Sequence, residues 1–158
     1  MKFTKKNIFN FSLIFGIFII DRITKLLIVN TSQSLDYLDI RVTSFLNLNL
    51  VWNNGIAFGL FSFDQNNYYN FLTLIIIIIT LVIIMFMLKS EGLEKLSFSM
   101  IIGGSLGNLF DRIYYSSVID FIDFHINNFH WFIFNVADIF ICIGVMLLII
   151  LEISSKKN

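Results

Sequence analysis

The stretch DFIDFHINNFHWFIFNVAD, residues 120–138, joins a polar segment to a long apolar one. Asp120 and Asp123 precede the apolar segment, whereas Asp138 lies inside it. An ionisable group within a hydrophobic span is costly, and it usually faces the interior of a helix bundle or a water-filled cavity. Asp138 therefore predicts a buried functional site. The structural alternative is a carboxylate that polar side chains of another span satisfy.

The composition is that of an integral membrane protein. Of the 158 residues, 57% are hydrophobic and only 14% are charged, and the mean hydropathy is +0.82. Soluble domains are about 25% charged. A formal net charge of zero excludes the basic surface that nucleic-acid binding requires, and the single Cys142 excludes an internal disulfide. We therefore expect one membrane domain over residues 1–158.

Four segments are long and apolar enough to cross a bilayer, which takes about 20 residues of helix. The predicted spans are residues 8–29, 68–88, 93–113 and 131–151, with outer loops at 30–67 and 114–130. The first span resembles a secretory signal peptide, but it lacks a small-residue cleavage site and continues into DRITK, so a retained span is favoured. The sequence predicts a mainly α-helical membrane bundle of four helices.

Basic residues are concentrated at the termini and in the connection between the second and third spans. Seven of the eleven lie there: Lys2, Lys5, Lys6, Lys89, Lys95, Lys156 and Lys157. The positive-inside rule then places both termini in the cytoplasm. All eight Asp residues fall in the outer loops or near the outer ends of spans, which predicts a carboxylate cluster near the outer face of the membrane.

The first outer loop contains a strand signal. The sequence FLNLNLVW, residues 45–52, alternates apolar and polar residues, and Asn53-Asn54-Gly55 is typical of a turn. These patterns predict a small extracytoplasmic β-sheet between helices 1 and 2.

Asp120 and Asp123 are three residues apart, so in a helix they would share a face. If one of them met Asp138 across a water molecule, the two carboxyl groups would share a proton. One could then act as base on the water while its protonated partner polarised a carbonyl group. The alternative is a pair of solvated carboxylates in an interfacial loop.

A metal site is the competing use of the acidic stretch. The candidate ligands are Asp120, Asp123, His125, His130 and Asp138. No fixed ligand spacing of the HExxH kind is present, and the two His residues suit a membrane interface. We therefore expect no metal and no cofactor.

Two further pairs have helical i, i+4 spacing. Asp21 and Lys25 in the first span can form an ion pair, with a structural role favoured over substrate orientation. Asn108 and Arg112 lie on the face that leads toward Asp120, where Arg112 could bind an anionic group or extend to the interface. The third span also has three glycines that permit close helix packing: Gly103, Gly104 and Gly107.

Five stretches together resemble the lipoprotein signal peptidase (signal peptidase II) family of membrane aspartic proteases. They are DRITK (21–25), NNGIAFG (53–59), GGSLGNLFDR (103–112), VIDFIDF (118–124) and FNVAD (134–138). They occur in the family's order over nearly the whole chain. The resemblance implies an enzyme of the bacterial cytoplasmic membrane that acts on diacylglyceryl-modified prolipoproteins, which it would cleave on the amino side of the lipidated cysteine.

The resemblance assigns the catalytic roles to Asp120 and Asp138. It implies substrate binding or support of this pair by Asn54, Gly55, Asn108, Arg112, Asn135, Asp21, Lys25 and Asp123. Prolipoprotein substrates and membrane lipids are the implied partners, and we expect a monomer. The AFGLF stretch, residues 57–61, would cover the substrate as a flap, and the outer strand could offer edge hydrogen bonds.

The chain departs from the family pattern at two positions beside the active site. Ser116 stands where a glycine is frequent, and Phe132 stands where a proline is frequent. Both changes affect the shape of the backbone at the edge of the active site rather than the carboxylates of Asp120 and Asp138.

Two other classes of function remain open from the residues alone. A proton or cation carrier built around Asp138 would have polar residues at several depths in the membrane and usually an internal repeat. In this sequence the second span has no charged residue, and the polar groups cluster at one face. A non-catalytic assembly factor would not need two converging carboxylates.

Overall fold

The computed structural model describes residues 5–35, 39–55, 66–126 and 129–156. These residues form four helices and four strands. In chain order the elements are α1 (Lys5–Leu35), β1 (Asp39–Arg41), β2 (Leu46–Asn53), α2 (Asn66–Lys89), α3 (Gly92–Tyr115), β3 (Val118–Ile126), β4 (Phe129–Phe134) and α4 (Val136–Ser155). The mainly helical architecture with a small antiparallel sheet agrees with the sequence-based prediction.

The sheet is larger than the sequence indicated. Its strand order is β1-β2-β3-β4, and all neighbours are antiparallel. β2 confirms the strand predicted from FLNLNLVW, but β3 and β4 come from the connection between α3 and α4. The expectation of a sheet built only between helices 1 and 2 was therefore wrong. The cause is tertiary: β3 has a continuous buried run at its start, which hides the period of a strand.

Because β3 is a strand, Asp120 and Asp123 do not share a face. Side chains alternate between the two sides of a strand, so residues three apart point in opposite directions. Asp123 lies on the same face as Ile119, Phe121 and His125, all of which are buried. The helical reading of the Asp120–Asp123 spacing was therefore wrong.

The fourth helix begins later than predicted. Phe129–Phe134 pairs with β3 as a strand, so the predicted span start at residue 131 was wrong. Asn135 ends the strand and caps α4, where its side-chain oxygen accepts a hydrogen bond from the backbone N–H of Asp138. The other helices match the predicted spans within a few residues, except that α1 continues to Leu35.

Two helices within the described ranges are long and apolar enough to cross a membrane by length and composition, Tyr69–Lys89 and Val136–Ser155. α1 and α3 carry more charge, and several of their charged side chains are buried: Asp21, Arg22, Lys25, Asp111 and Arg112.

Glycines allow α3 to pack closely against its neighbours, as the sequence predicted. A Cβ atom on Gly107 would lie 2.5 Å from Oδ2 of Asp21 in α1. Gly103 faces Ile17 of α1 in the same way, and Gly104 meets the backbone of Ala137 in α4. α3 is thus the central helix, and its close approach brings α1 and the start of α4 together.

The junction between α3 and β3 has an unusual backbone. Ser116 is the C-cap of α3 and adopts the left-handed conformation, with φ 56° and ψ 24°. Glycine is the usual residue at such helix ends because other residues pay a steric penalty there. Ser116 therefore takes the conformation that a glycine would serve, and β3 still leaves α3 in the direction that buries Asp120.

Candidate active site

Asp120 projects from β3 into a polar, largely enclosed environment. Its side chain is buried, with 4% exposure for the residue. Nδ2 of Asn53 donates a 2.9 Å hydrogen bond to Oδ2, and Nδ2 of Asn135 donates a 2.6 Å bond to Oδ1. Burial, followed by the nearby charge of Asp138, raises the pKa of Asp120 to about 7. A group with such a pKa can hold or release a proton near neutral pH.

Asp138 lies in the first turn of α4, where it completes a capping box with Asn135. The backbone N–H of Asn135 donates a 3.1 Å hydrogen bond to Oδ2 of Asp138, and Nδ2 of Asn108 donates a 2.8 Å bond to Oδ1. In a capping box the two side chains satisfy backbone N–H groups at the helix start. The capping role explains locally how a carboxylate is tolerated in this apolar segment.

Both carboxyl groups border one cavity of about 580 Å³. Asn53, Asn108 and Arg112 contribute its polar wall. Much of the remaining lining is apolar and comes from α4, together with Phe132 and Phe134 of β4. The two acidic residues are 18 positions apart in the chain, and the sheet and the α4 cap bring them to the same space, as their predicted common role requires.

Asn108 and Lys25 form a layer of polar contacts behind the two carboxylates. Nζ of Lys25 donates a 2.9 Å hydrogen bond to Oδ1 of Asn108, and Nδ2 of Asn135 donates a 3.1 Å bond to the same oxygen. An ammonium group can only donate, so Lys25 fixes the orientation of the Asn108 amide. The Nδ2 atom of Asn108 is thereby directed at Asp138.

The predicted Asp21–Lys25 ion pair is confirmed, with Nζ 3.0 Å from Oδ2, but it belongs to a larger network. Asp111 lies 2.7 Å from Lys25 and 2.6 Å from Arg22, and Arg22 also contacts Asp21 at 3.0 Å. Two cations and two anions are thus balanced in a buried region. Asp21 additionally accepts a 3.0 Å hydrogen bond from the backbone N–H of Ala137, which ties this network to the start of α4.

Sequence reasoning missed Arg22 and Asp111. Each lies next to a residue that the prediction did name, in the Asp-Arg pairs of DRITK and NLFDR. The repeated pair was the available signal, because two acid–base neighbours on adjacent helices can neutralise one another.

Arg112 holds the turn that follows β2. Its Nη2 donates a 2.6 Å hydrogen bond to the carbonyl oxygen of Gly55, and the backbone N–H of Gly55 donates to Oδ1 of Asn53 at 2.8 Å. Gly55 is buried, whereas Asn54 is exposed. Sequence reasoning missed Asn53, whose side chain contacts Asp120, and the role of Asn54 stays a prediction. The alternation of β2 gave no signal for Asn53, because a β-bulge between Leu48 and Val51 changes which residues of the strand face Asp120.

The AFGLF stretch assigned to a flap, residues 57–61, lies outside the described residues.

Asp123 lies on the other face of the sheet from Asp120. Its carboxylate accepts a 2.9 Å hydrogen bond from Nδ2 of Asn49 and lies 2.9 Å from Nδ1 of His130. The His130 ring stacks on that of His125, with centroids 5.1 Å apart. Of the five candidate metal ligands, the structure thus groups Asp123 with the two His residues and separates them from Asp120 and Asp138.

Comparisons with known proteins agree with this geometry. The model of the signal peptidase (SPase) II family matches residues 13–154. A lipoprotein signal peptidase of Pelagibacter ubique (strain HTCC1062) is 50% identical over 160 residues, covering 99% of this chain and 96% of that protein. The lipoprotein signal peptidase of Francisella tularensis subsp. novicida (strain U112) is 43% identical over 123 residues, covering 75% of this chain and 76% of that protein.

Two solved structures, each described as a bacterial membrane enzyme, share the fold. One has a TM-score of 0.82 and 31% identity, covering 94% of this chain and 90% of its own. The other has a TM-score of 0.76 and 32% identity, covering 90% and 91%. These matches favour a peptidase over a carrier or an assembly factor. The family match extends over nearly the whole chain, including every element that borders the cavity, and the chain therefore belongs to the signal peptidase II family.

Proposed function

We propose that Asp120 and Asp138 are the catalytic dyad of an aspartic endopeptidase. As a member of the signal peptidase II family, the chain is a hydrolase that removes signal peptides from prolipoproteins. The observation that carries the assignment of the dyad is that both carboxyl groups line one cavity and are linked through Asn135.

The dyad would act by sharing a proton. Two carboxylates facing one space do not both ionise easily, so one is protonated while the other is charged. The charged member takes a proton from a water molecule, and the protonated member donates a hydrogen bond to the scissile carbonyl. Water attack gives a tetrahedral diol, and proton transfer to the nitrogen then releases the new amino terminus. The near-neutral pKa of Asp120 supports this cycle.

Three polar residues would fix the positions of the two dyad carboxyl groups: Asn108, Asn135 and Lys25. Asn135 contacts Asp120 with its side chain and Asp138 with its backbone N–H. Lys25 orients the Asn108 amide, which in turn donates to Asp138. Asp21 supports Lys25 and caps α4 through Ala137. Positioning of this kind matters because misplacement of a reacting group by about 1 Å can cost about 100-fold in rate.

Arg112 is the proposed substrate-binding cation. It lines the cavity and is 6% exposed, and its Nη1 atom is buried without a hydrogen-bond partner among the described residues. A buried donor of this kind can bind a carbonyl or ester oxygen of the substrate. Asn54 and Gly55 would present the adjoining turn to the substrate, and Asp123 would support the sheet from its other face.

The apolar wall of the cavity supports a diacylglyceryl-modified substrate. Ile139, Ile143 and Met146 of α4 extend this wall away from the polar groups. Acyl chains attached to the lipobox cysteine would lie along these residues while the peptide backbone crosses the dyad. Cleavage would then fall on the amino side of the lipidated cysteine.

The membrane setting proposed here is four spans in one domain, embedded in the bacterial cytoplasmic membrane. Pairing of the charges of α1 with Asp111 lowers the cost of placing these helices in a bilayer. Lysines at the termini and between α2 and α3 support cytoplasmic termini. The dyad would then lie near the outer face, in a monomer in contact with membrane lipids.

The test is cleavage of a diacylglyceryl-modified prolipoprotein by the purified protein. Asp120→Asn and Asp138→Asn are each expected to abolish cleavage while leaving the protein folded, because asparagine keeps the size of the side chain and an oxygen acceptor at the α4 cap. Asp39→Asn, which removes an exposed carboxylate from β1 of the same sheet, is the control and should cleave normally.

The same assay separates the dyad from a metal mechanism. Cleavage by the wild-type protein should continue in the presence of a chelator, because the carboxylates themselves activate the water. Full activity of either Asn variant, or loss of cleavage on chelation in a protein that remains folded, would contradict the proposed dyad.

A further inference from the structure

Three potential metal ligands converge on the face of the sheet opposite the dyad. One donor atom from each of Asp123, His125 and His130 lies within 4.8 Å of the other two. We call these residues the Asp-His-His cluster. The proposed function uses only Asp123 among them, as a support for the sheet, and leaves both imidazoles without a role.

Strand geometry explains why these residues meet. Asp123 and His125 are two positions apart in β3, so their side chains project from the same face. His130 of β4 is the direct cross-strand partner of His125, and directly opposed residues on neighbouring strands have adjacent side chains. The cluster therefore lies on two paired strands rather than on a loop, at a register shift between Asp123 and His125.

One buried member of the cluster, His125, has an unused hydrogen-bonding atom. His125 is 8% exposed, and its Nδ1 atom has no hydrogen-bond partner within the described part of the chain. Oδ1 of Asn49, whose Nδ2 donates to Asp123, is buried and unpartnered within the same ranges. A buried polar atom without a hydrogen-bond partner destabilises the folded protein. A cation bound through Nδ1 of His125 would satisfy the lone pair of that nitrogen.

We propose that the Asp-His-His cluster binds a divalent transition-metal ion, with Zn²⁺ as the ion that it fits best. Two imidazole nitrogens and one carboxylate oxygen are typical zinc ligands, with a fourth position open to water. Hard cations such as Mg²⁺ prefer all-oxygen sites. This inference departs from the sequence-based expectation of no metal, and it is independent of the dyad because the cluster faces away from Asp120.

The ligand distances are compatible with this ion after a small adjustment. Tetrahedral ligands bound at about 2.0–2.2 Å lie about 3.3–3.6 Å apart, so ligand atoms that lie within 4.8 Å of one another must approach by up to about 1.5 Å. His130 can supply this movement, because its side chain is 55% exposed. Asn49 would be the outer partner that orients the ligating carboxylate. The ion would join β3 to β4 on the face of the sheet that is turned away from Asp120.

The experiment measures binding of Zn²⁺ itself to the tag-free, full-length protein in detergent, by calorimetry and by competition with a chromophoric chelator. The expected result is one saturable site per chain and a rise in unfolding temperature on addition of Zn²⁺. Co²⁺ should give the visible absorption bands of a four-coordinate site. His130→Gln is the first variant because the His130 side chain is 55% exposed, so we expect the variant to fold, and it should weaken Zn²⁺ binding by more than about tenfold.

His125→Gln is the second variant and should weaken binding as much. Asp39→Asn is the matched control and should bind as the wild type does. Absence of saturable Zn²⁺ binding would overturn the proposal and leave the cluster as an ion pair beside a stacked imidazole. Unchanged affinity in a folded His130→Gln protein would overturn it equally, because the ion would then be bound elsewhere.

Discussion

Asn135 donates a 2.6 Å hydrogen bond from Nδ2 to Asp120, while its backbone N–H donates to Asp138 at 3.1 Å. One fully buried residue thus joins the two carboxylates and also caps the helix that carries the second. These two roles reside in different atoms of Asn135, and substitutions can therefore separate them.

Asn135→Ser should lose activity while keeping most of the stability. Serine is a good N-cap residue, but it has no amide group to reach Asp120. We expect a fall in the cleavage rate of about 100-fold, as for a misplaced reacting group, with little change in the unfolding temperature. Asn135→Ala should lose the rate and also about 1 kcal/mol of stability. Rates and melting curves for both variants check this, and an active Asn135→Ser protein would contradict it.

The cleavage rate should fall as the pH rises above about 7. The cycle needs one protonated carboxyl group in the dyad, and Asp120, whose pKa is raised to about 7, loses its proton in that range. The hydrogen bond from Asn53 favours the charged form of Asp120, so Asn53→Ala should move the falling limb upward by about one pH unit. Rate–pH profiles of the two proteins test this. A wild-type profile that stays flat well above neutral pH would count against Asp120 as the proton donor.

Lys25→Met should destabilise the protein by about 3–5 kcal/mol, because it leaves buried Asp21 and Asp111 with too little positive charge. The double variant Lys25→Met/Asp111→Asn restores the charge balance and should regain part of this stability. It should remain slow, however, because Asn108 still lacks the donor that orients its amide. Denaturation curves and rates separate these effects, and a double variant with wild-type rate would show that Lys25 acts only on the fold.

Gly107→Ala should disrupt the contact between α1 and α3. Its added Cβ atom would lie 2.5 Å from Oδ2 of Asp21, in a buried network that has little room to shift. We expect a loss of about 1–3 kcal/mol, as in overpacked cores. Gly16→Ala in α1 is the matched control, because its Cβ meets nothing within 4 Å, and it should be neutral or stabilising by up to about 1 kcal/mol. Equal stability of the two variants would contradict the packing argument.

Local patterns in the sequence predicted the parts of the fold that depend on local physics. The uncharged apolar run predicted α2, and the i, i+4 spacing predicted the Asp21–Lys25 ion pair. The glycines of α3 predicted its close packing against the neighbouring helices. The pairing of β3 with β2 could not be read in this way. This pairing buries polar and apolar residues together. The buried carboxylate of Asp123 accepts its hydrogen bond from Asn49, which belongs to the partner strand β2.

The same distinction holds for the site. Asp120 and Asp138 could be named in advance from a family resemblance and from the cost of a carboxylate in an apolar segment. Asn53 could not, because a β-bulge between Leu48 and Val51 changes which residues of β2 face Asp120. Arg22 and Asp111 had only the repeated Asp-Arg pair as a signal, since their contact depends on how α1 lies against α3.

The capping box at the start of α4 has a consequence for inhibitor design. A compound that grips the carboxylate of Asp138 engages a group that the helix itself requires. Most substitutions of Asp138 that would weaken binding of the compound would also remove the helix cap. Asparagine could keep the cap, but it would remove the carboxyl group that catalysis requires. Bacteria therefore have few mutational routes to drug resistance at this position.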